Sequence, residues 1–234
     1  NDRASVRQGI LTWSIPVGSS YELTNPSTAT PSLMLSPYQG TSQLTVSGGG
    51  MLSSQDAWLA SAAGGSATMQ VTGTGTLWSN AGSVYLGGSS GGIGGSASLI
   101  VSGGATASIG QTLRGYTSGA ISLDGGTLEA GTFDLDSDIS MTNDAWLRGT
   151  GTIRGDITIT GVATVDVPGG ESLVMEALIV SGPDEVVEPL ESVAGVDAFG
   201  SFGSTIEQGP AAVVPEPQLL SVAALACLAL RRRR

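Results

Sequence analysis

Residues 44–52 read LTVSGGGML. Leu44 and Val46 alternate with Thr45 and Ser47, the period-two pattern of a strand with one buried face. Glycines follow at once, and they permit the backbone conformations that a sharp turn demands. The same order returns as MQVTGTGTL at 69–77 and LIVSGGATA at 99–107. Looser copies are ISLDGGTLE at 121–129, WLRGTGTIR around Leu147 and ITITGVATV at 157–165, with a half-copy, LIVSGP, at 178–183. DAWL also occurs twice, at 56–59 and 144–147.

Anchoring each copy on its second apolar residue gives Val46, Val71, Val101, Leu123, Leu147, Ile159 and Val180. Most steps are 21 to 30 residues, whereas Leu147 and Ile159 lie only 12 apart, which predicts that they occupy different sides of one coil. One copy is too short to bury its own apolar face, but copies stacked on one another bury a continuous column. No long apolar stripe of helical period occurs before residue 215. The expected class is therefore all-β, a parallel β-helix (solenoid) with Val, Leu, Ile, Met and Ala inside and Ser, Thr and Gln outside. About six coils at ~4.8 Å each predict a rod roughly 30 Å long. The residues after the anchors include Asp124 and Arg148, which this alignment makes neighbours on adjacent coils.

Stretches such as SATMQVTGTGTLWSNAGSVYLGG, SLIVSGGATAS and ISLDGGTLEAGTFDL resemble the β-helical repeats of autotransporter passengers over residues 41–183. The resemblance implies a right-handed parallel β-helix displayed outside the cell and no particular activity. No autotransporter barrel follows it. Residues 1–40 read as a lead-in, truncated from a longer protein, because NDRASVRQG has neither an initial Met nor a secretory signal.

Residues 184–214 change character. They hold six acidic residues and no basic one, scattered with Pro and Gly, and read as an acidic linker, the alternative being a segment that caps the last coil. Residues 215–234 follow: Pro215, Glu216 and Pro217, then 13 uncharged residues from Gln218 to Leu230, then Arg231, Arg232, Arg233 and Arg234. At ~1.5 Å per residue the apolar stretch is a helix of roughly 20 Å against a hydrocarbon core of about 30 Å. Four terminal Arg mark a cytoplasmic flank, and an all-apolar surface suits a membrane better than a core helix. Pro-Glu-Pro, an apolar stretch and an Arg cluster, in that order, resemble the PEP-CTERM protein-sorting signal. The resemblance implies a Gram-negative exported protein, held in the inner membrane by its tail, processed by an exosortase, and released or attached at the cell surface, often alongside exopolysaccharide. Pro215–Pro217 would be the sorting motif and Arg231–Arg234 the basic anchor, both recognition elements outside any catalysis.

Composition narrows the function further. The net charge is −11, with no Lys and no His. Outside the terminal cluster five Arg face twenty acidic residues, a balance that repels phosphate backbones and excludes nucleic acid as a partner. The one cysteine, Cys227, lies in the apolar tail and rules out an intramolecular disulfide. Zinc and iron sites need His or clustered Cys, so no metal or other cofactor is expected. GGSSG at 87–91 fits the nucleophile-elbow spacing, but the chain has no His to act as base, and a turn between coils is the plainer reading. Asp134, Asp136 and Asp138 open like a calcium loop, yet Ile139 and Ala145 stand where that loop needs Gly and Glu, so a solvated acidic face is expected.

Two readings of function remain, with a disordered Gly/Ser polymer a distant third. The first is a non-enzymatic, structural or adhesive protein of the cell surface or extracellular matrix. The second is a carbohydrate-active protein on the same scaffold. It would need Asp124, Asp134, Asp136, Asp138 and Asp156 with Arg114, Arg148 and Arg154 to converge on one cleft. It would also need Trp58, Trp78 or Trp146 positioned to stack on sugar rings.

Overall fold

The computed structural model describes residues 4–23, 31–169 and 171–181. The chain winds in coils, each contributing one strand to each of three faces, here called C, A and B in the order the chain visits them. The first coil holds β1 (Ala4–Val6), β2 (Gly9–Ser14) and β3 (Ser20–Leu23). The second holds β4 (Leu33–Leu35), β5 (Gly40–Ser47) and β6 (Met51–Ser54), and the third β7 (Ala57–Leu59), β8 (Gly65–Thr72) and β9 (Leu77–Asn80). The fourth has β10 (Val84–Leu86), a small antiparallel hairpin of β11 (Gly88–Ser89) and β12 (Gly92–Ile93), then β13 (Ser96–Ser102). Beyond this the coils tighten until one strand serves two faces across a bulge, as in β14 (Thr106–Gly115), β16 (Thr127–Leu135), β19 (Gly151–Thr160) and β21 (Leu173–Ser181). Between them lie β15 (Gly119–Asp124), β17 (Asp138–Thr142), β18 (Ala145–Arg148) and β20 (Ala163–Asp166).

Among the described residues every strand-to-strand pairing outside the β11–β12 hairpin is parallel, two isolated antiparallel bridges at corners apart, and the nineteen remaining strands belong to one sheet wrapped around the core. Face A stacks β2, β5, β8, β13, β15, β17, β19 and β21, so the described residues make eight rungs where the sequence suggested about six coils. The stack begins at β1 and β2, so residues within 1–40 already take part in it.

The register follows the alternation. Val46, Val71, Val101, Leu123, Met141, Ile159 and Val180 form one inward line on face A. Six of these seven are the sequence anchors. Leu147 instead lies on face B between Leu128 and Val165, away from the Ile159 line, as its short step implied. Consequently Asp124 stacks on Thr142, and Arg148 stacks between Glu129 and Asp166. The expected Asp124–Arg148 pair does not form, because the extra coil carried by Met141 separates the two residues onto different faces.

Inside, the side chains are almost wholly apolar. Leu44, Met69, Leu99, Leu123, Leu147 and Phe133 are fully buried. Trp78 is buried as well, its indole N–H donating to Ser54 Oγ at 2.9 Å. The glycines of the repeat mark the corner from face A to face B. Gly48–Gly49 and Gly103–Gly104 have φ values of 99°, 79°, 62° and 78°, the left-handed region that a side chain disfavours. At the equivalent corner of a later coil Asn143 and Asp144 hold φ values of 54° and 60°, a conformation these two residue types tolerate better than most.

Candidate functional site

In a parallel in-register stack, each outward side chain stands ~4.8 Å from its counterparts above and below. The exterior is therefore best read as vertical lines. Face A is a field of hydroxyls: Ser47, Thr72, Ser102, Asp124, Thr142, Thr160 and Ser181 form one line. Within it Ser102 Oγ donates to Thr72 Oγ1 at 2.9 Å and Thr142 Oγ1 to an Asp124 carboxylate oxygen at 3.1 Å.

Face C carries the most varied line: Met34, Trp58, Tyr85, Arg114 and Asp134 succeed one another in register. The Arg114 guanidinium also lies 5.2 Å from the centre of the Tyr116 ring, within cation–π range. Arg114 pairs with Asp134, and its other nitrogen lies 3.6 Å from Asp136. From the next coil Arg154 Nη1 donates to both acids, at 3.0 Å to Asp134 and 2.9 Å to Asp136. Two guanidiniums and two carboxylates thus close a four-membered charge cluster. Partial burial pushes the Asp134 carboxyl up, and the hydrogen bonds and charges of Arg154 and Arg114 more than reverse this, holding it below its ordinary value of 3.8. The Arg154 guanidinium is shifted up, chiefly by its hydrogen bonds to Asp134 and Asp136.

Across the corner, face B repeats the device. Arg148 stands between Glu129 at 3.7 Å and Asp166 at 3.3 Å. Beside this trio a shallow groove of about 200 Å³ is lined by Ser108, Ile109, Glu129, Arg148, Gly149 and Pro168.

The sequence candidates divide among the faces. Asp124, Asp138 and Asp156 belong to face A, Arg148 to face B, and Arg114, Asp134, Asp136 and Arg154 to face C and the corner after it. Asp138 is taken up locally, accepting the backbone N–H of Asp156 at 3.0 Å. Asp134 and Asp136 are shared by two guanidiniums. Asp134, held below its ordinary value, is ionised at neutral pH and is a poor proton donor. Of the tryptophans, Trp78 is in the core, while Trp58 faces outward on face C and Trp146 outward on face B, 43% exposed. GGSSG supplies β11 and the turn of the β11–β12 hairpin, and the Ser89 carbonyl accepts a hydrogen bond from the Tyr116 hydroxyl at 2.8 Å. Among the described residues no group of three or more His, Cys, Asp or Glu side chains is arranged to hold a metal ion.

Sequence reasoning passed over Glu129, Asp166, Tyr85 and Tyr116. The signal for the first two was available: both occupy an alternating acid–base–acid line once Leu128, Leu147 and Val165 are aligned. Pro215, Glu216, Pro217 and Arg231–Arg234 lie outside the described residues.

No protein family, curated protein or solved structure matches this chain.

Proposed function

We propose that this chain is an exported, non-enzymatic β-solenoid of the cell surface or extracellular matrix, acting as a structural or adhesive rod. The observation that carries the reading is the ordered tail of Pro215–Pro217, the apolar stretch Gln218–Leu230 and Arg231–Arg234. On this reading the tail holds the protein in the inner membrane and an exosortase reads the Pro-Glu-Pro segment. The rod, wound right-handed as parallel strand crossovers are, is left outside the cell beside exopolysaccharide. The fold supports the reading in one respect. Arg114, Arg148 and Arg154 are each paired with acids of neighbouring coils, Arg148 on face B and the other two at face C, an economy suited to a durable surface.

Intact mass of the protein recovered separately from membrane and extracellular fractions of its native host tests the proposal. Loss of the tail near Val214–Pro217 in the extracellular form is the expected result. A full-length chain in the cytosol would sink it.

A second reading, polysaccharide binding, draws on one feature: the Trp58–Tyr85–Arg114 line offers aromatic surface next to a cation along the rod axis. Under that reading Trp58→Ala lowers retention on an immobilised exopolysaccharide and leaves the fold intact; unchanged retention would remove it.

A further inference from the structure

Residues 144–151 read DAWLRGTG, and the alternation that buries Ala145 and Leu147 sends Trp146 and Arg148 outward from β18 on face B. At ~3.3 Å per residue the two side chains leave the strand roughly 7 Å apart. Trp146 is the one exposed tryptophan of the four, and its register explains why: the short Thr127 and Thr164 stand on either side of it. Trp58 on face C stands between the longer Met34 and Tyr85 and is half-buried. The indole of Trp146 therefore offers solvent an apolar ring with a hydroxyl-bearing residue above and below.

Arg148 supplies polar groups alongside. It lies 3.7 Å from Glu129 Oε1 and 3.3 Å from Asp166 Oδ2, both longer than the ~2.7–2.9 Å of a closed charge-assisted hydrogen bond. The Arg154 contacts to Asp134 and Asp136, at 3.0 Å and 2.9 Å, are tighter. A guanidinium has five N–H donors and each carboxylate several lone pairs, so this loose trio keeps donors and acceptors for a ligand. Beyond Arg148 the strand ends at the shallow groove of about 200 Å³, whose lining includes Glu129, Arg148, Gly149 and Pro168. Platform, trio and groove thus lie in one row along β18, about 10 Å from Trp146 to Gly149.

From this arrangement we infer that face B binds a neutral glycan, with one sugar ring on Trp146 and its neighbour against Arg148 and the groove. A sugar ring has an apolar C–H face and a rim of hydroxyls that both donate and accept. The face fits the indole, and the rim fits the mixed donors and acceptors of Glu129, Arg148 and Asp166. A few polar groups set around an apolar surface are the usual make-up of a small-molecule site. Two carboxylates against one guanidinium disfavour uronic or sulfated sugars, and Arg148 at the centre disfavours amino sugars. The row is longer than one sugar ring, so the ligand is an oligosaccharide or a chain segment. It runs across the rod, whereas the Trp58 line follows the rod axis. The inference rests on neither the export route nor the face C reading.

Titration calorimetry of the full chain with neutral oligosaccharides of glucose, mannose and xylose, set beside oligogalacturonate and chitosan oligomers, tests it. Binding to a neutral sugar, with none to the two charged ones, is the expected result. Trp146→Ala should weaken it by about tenfold or more. Arg148→Lys should do the same, because an ammonium keeps the charge between Glu129 and Asp166 but loses the planar fork. Its urea midpoint should stay near that of the parent, which separates lost recognition from lost structure. Trp58→Ala should leave the affinity unchanged. No binding to any of the neutral sugars overturns the inference. So does a preference for either charged sugar, or an affinity that survives Trp146→Ala. Loss of binding on Trp58→Ala alone would move the ligand to face C, upholding that reading and rejecting this one.

Discussion

Between Pro31 and Leu113 the solenoid carries one charged residue, Asp56; between Arg114 and Ser181 it carries thirteen. Coil length changes over the same boundary. Successive partners on the Leu11–Leu178 line are 33, 25, 30, 22, 18, 18 and 21 residues apart. The early coils are wide and neutral, the later ones tight and ionic. Parallel in-register stacking explains why the two halves need different exteriors. Hydroxyls and amides can stack on their own kind, because each can donate and accept, as Ser102 does to Thr72 and Ser54 to Asn80 at 2.8 Å. Like charges repel at that spacing, and two lines of the ionic half alternate sign, Glu129–Arg148–Asp166 on face B and Arg114–Asp134 with Arg154 on face C, while on face A Asp138 stacks on Asp156 and is taken up by its backbone N–H. Asp56 fits the neutral half because its carboxylate caps a corner, accepting the Ser83 N–H at 2.8 Å.

The contrast predicts where stability resides. Trp78→Ala in the neutral half removes the largest fully buried side chain and should cost about 3–5 kcal/mol by urea unfolding. Arg114→Ala in the ionic half removes a partly exposed ladder member and should cost far less. Equal losses would break the comparison. A smaller effect is expected at Ser54, whose hydroxyl accepts from the Trp78 indole and donates to Asn80. Ser54→Ala leaves both partners unsatisfied in the core and should cost about 1–3 kcal/mol. Because no charge is involved, that loss should not change between low and high salt.

The ionic half should behave in the opposite way. Asp134 is held below its ordinary value of 3.8, so the folded state favours its charged form. Its contribution is complete above that value and is lost as the pH falls below it, through the lower folded value. Asp134→Asn should therefore destabilise the rod at neutral pH by up to about 1 kcal/mol, reduced in high salt. In acid the variant and the parent should converge. Urea midpoints at pH 7 and pH 3 check this: the gap should narrow between them, and a gap of equal size at both would show that packing, rather than charge, gives Asp134 its effect.

How much of this was legible in the sequence follows the same division. Face A could be read directly, because alternation ends there in glycine and six of the seven anchors fall on one line. Face C was hidden. Its strands are apolar triplets such as LML, AWL and VYL, with too few residues to show a period, and only VYL is followed at once by glycine. The tetrapeptide DAWL shows how little local sequence decides: at 56–59 it enters face C, at 144–147 face B. What places each copy is the length of the coil around it, a property of the whole stack. The charge clusters were missed for the same reason. Arg114, Asp134 and Arg154 are twenty residues apart in sequence and touch only once the register is known.

The coil that carries Met141 escaped the repeat because its corner is Asn143–Asp144 in place of glycine. That substitution gives the smallest expected effect and the sharpest local test of the register. A left-handed backbone costs any side chain something, though Asn and Asp less than most. Asn143 recovers part of that cost: its amide donates to the Asp124 carboxylate one coil earlier. Asn143→Gly relieves the backbone and gives up the hydrogen bond, two terms of similar size and opposite sign, so the net change should be under about 1 kcal/mol either way. Asn143→Val keeps neither advantage and places a branched side chain at φ 54°, so it should destabilise by more. The order Gly above Val in thermal unfolding is the outcome required if this corner matches Gly103–Gly104. A Val variant as stable as the Gly variant would mean that the coil turns elsewhere, and the Leu123–Met141–Ile159 line would have to be redrawn.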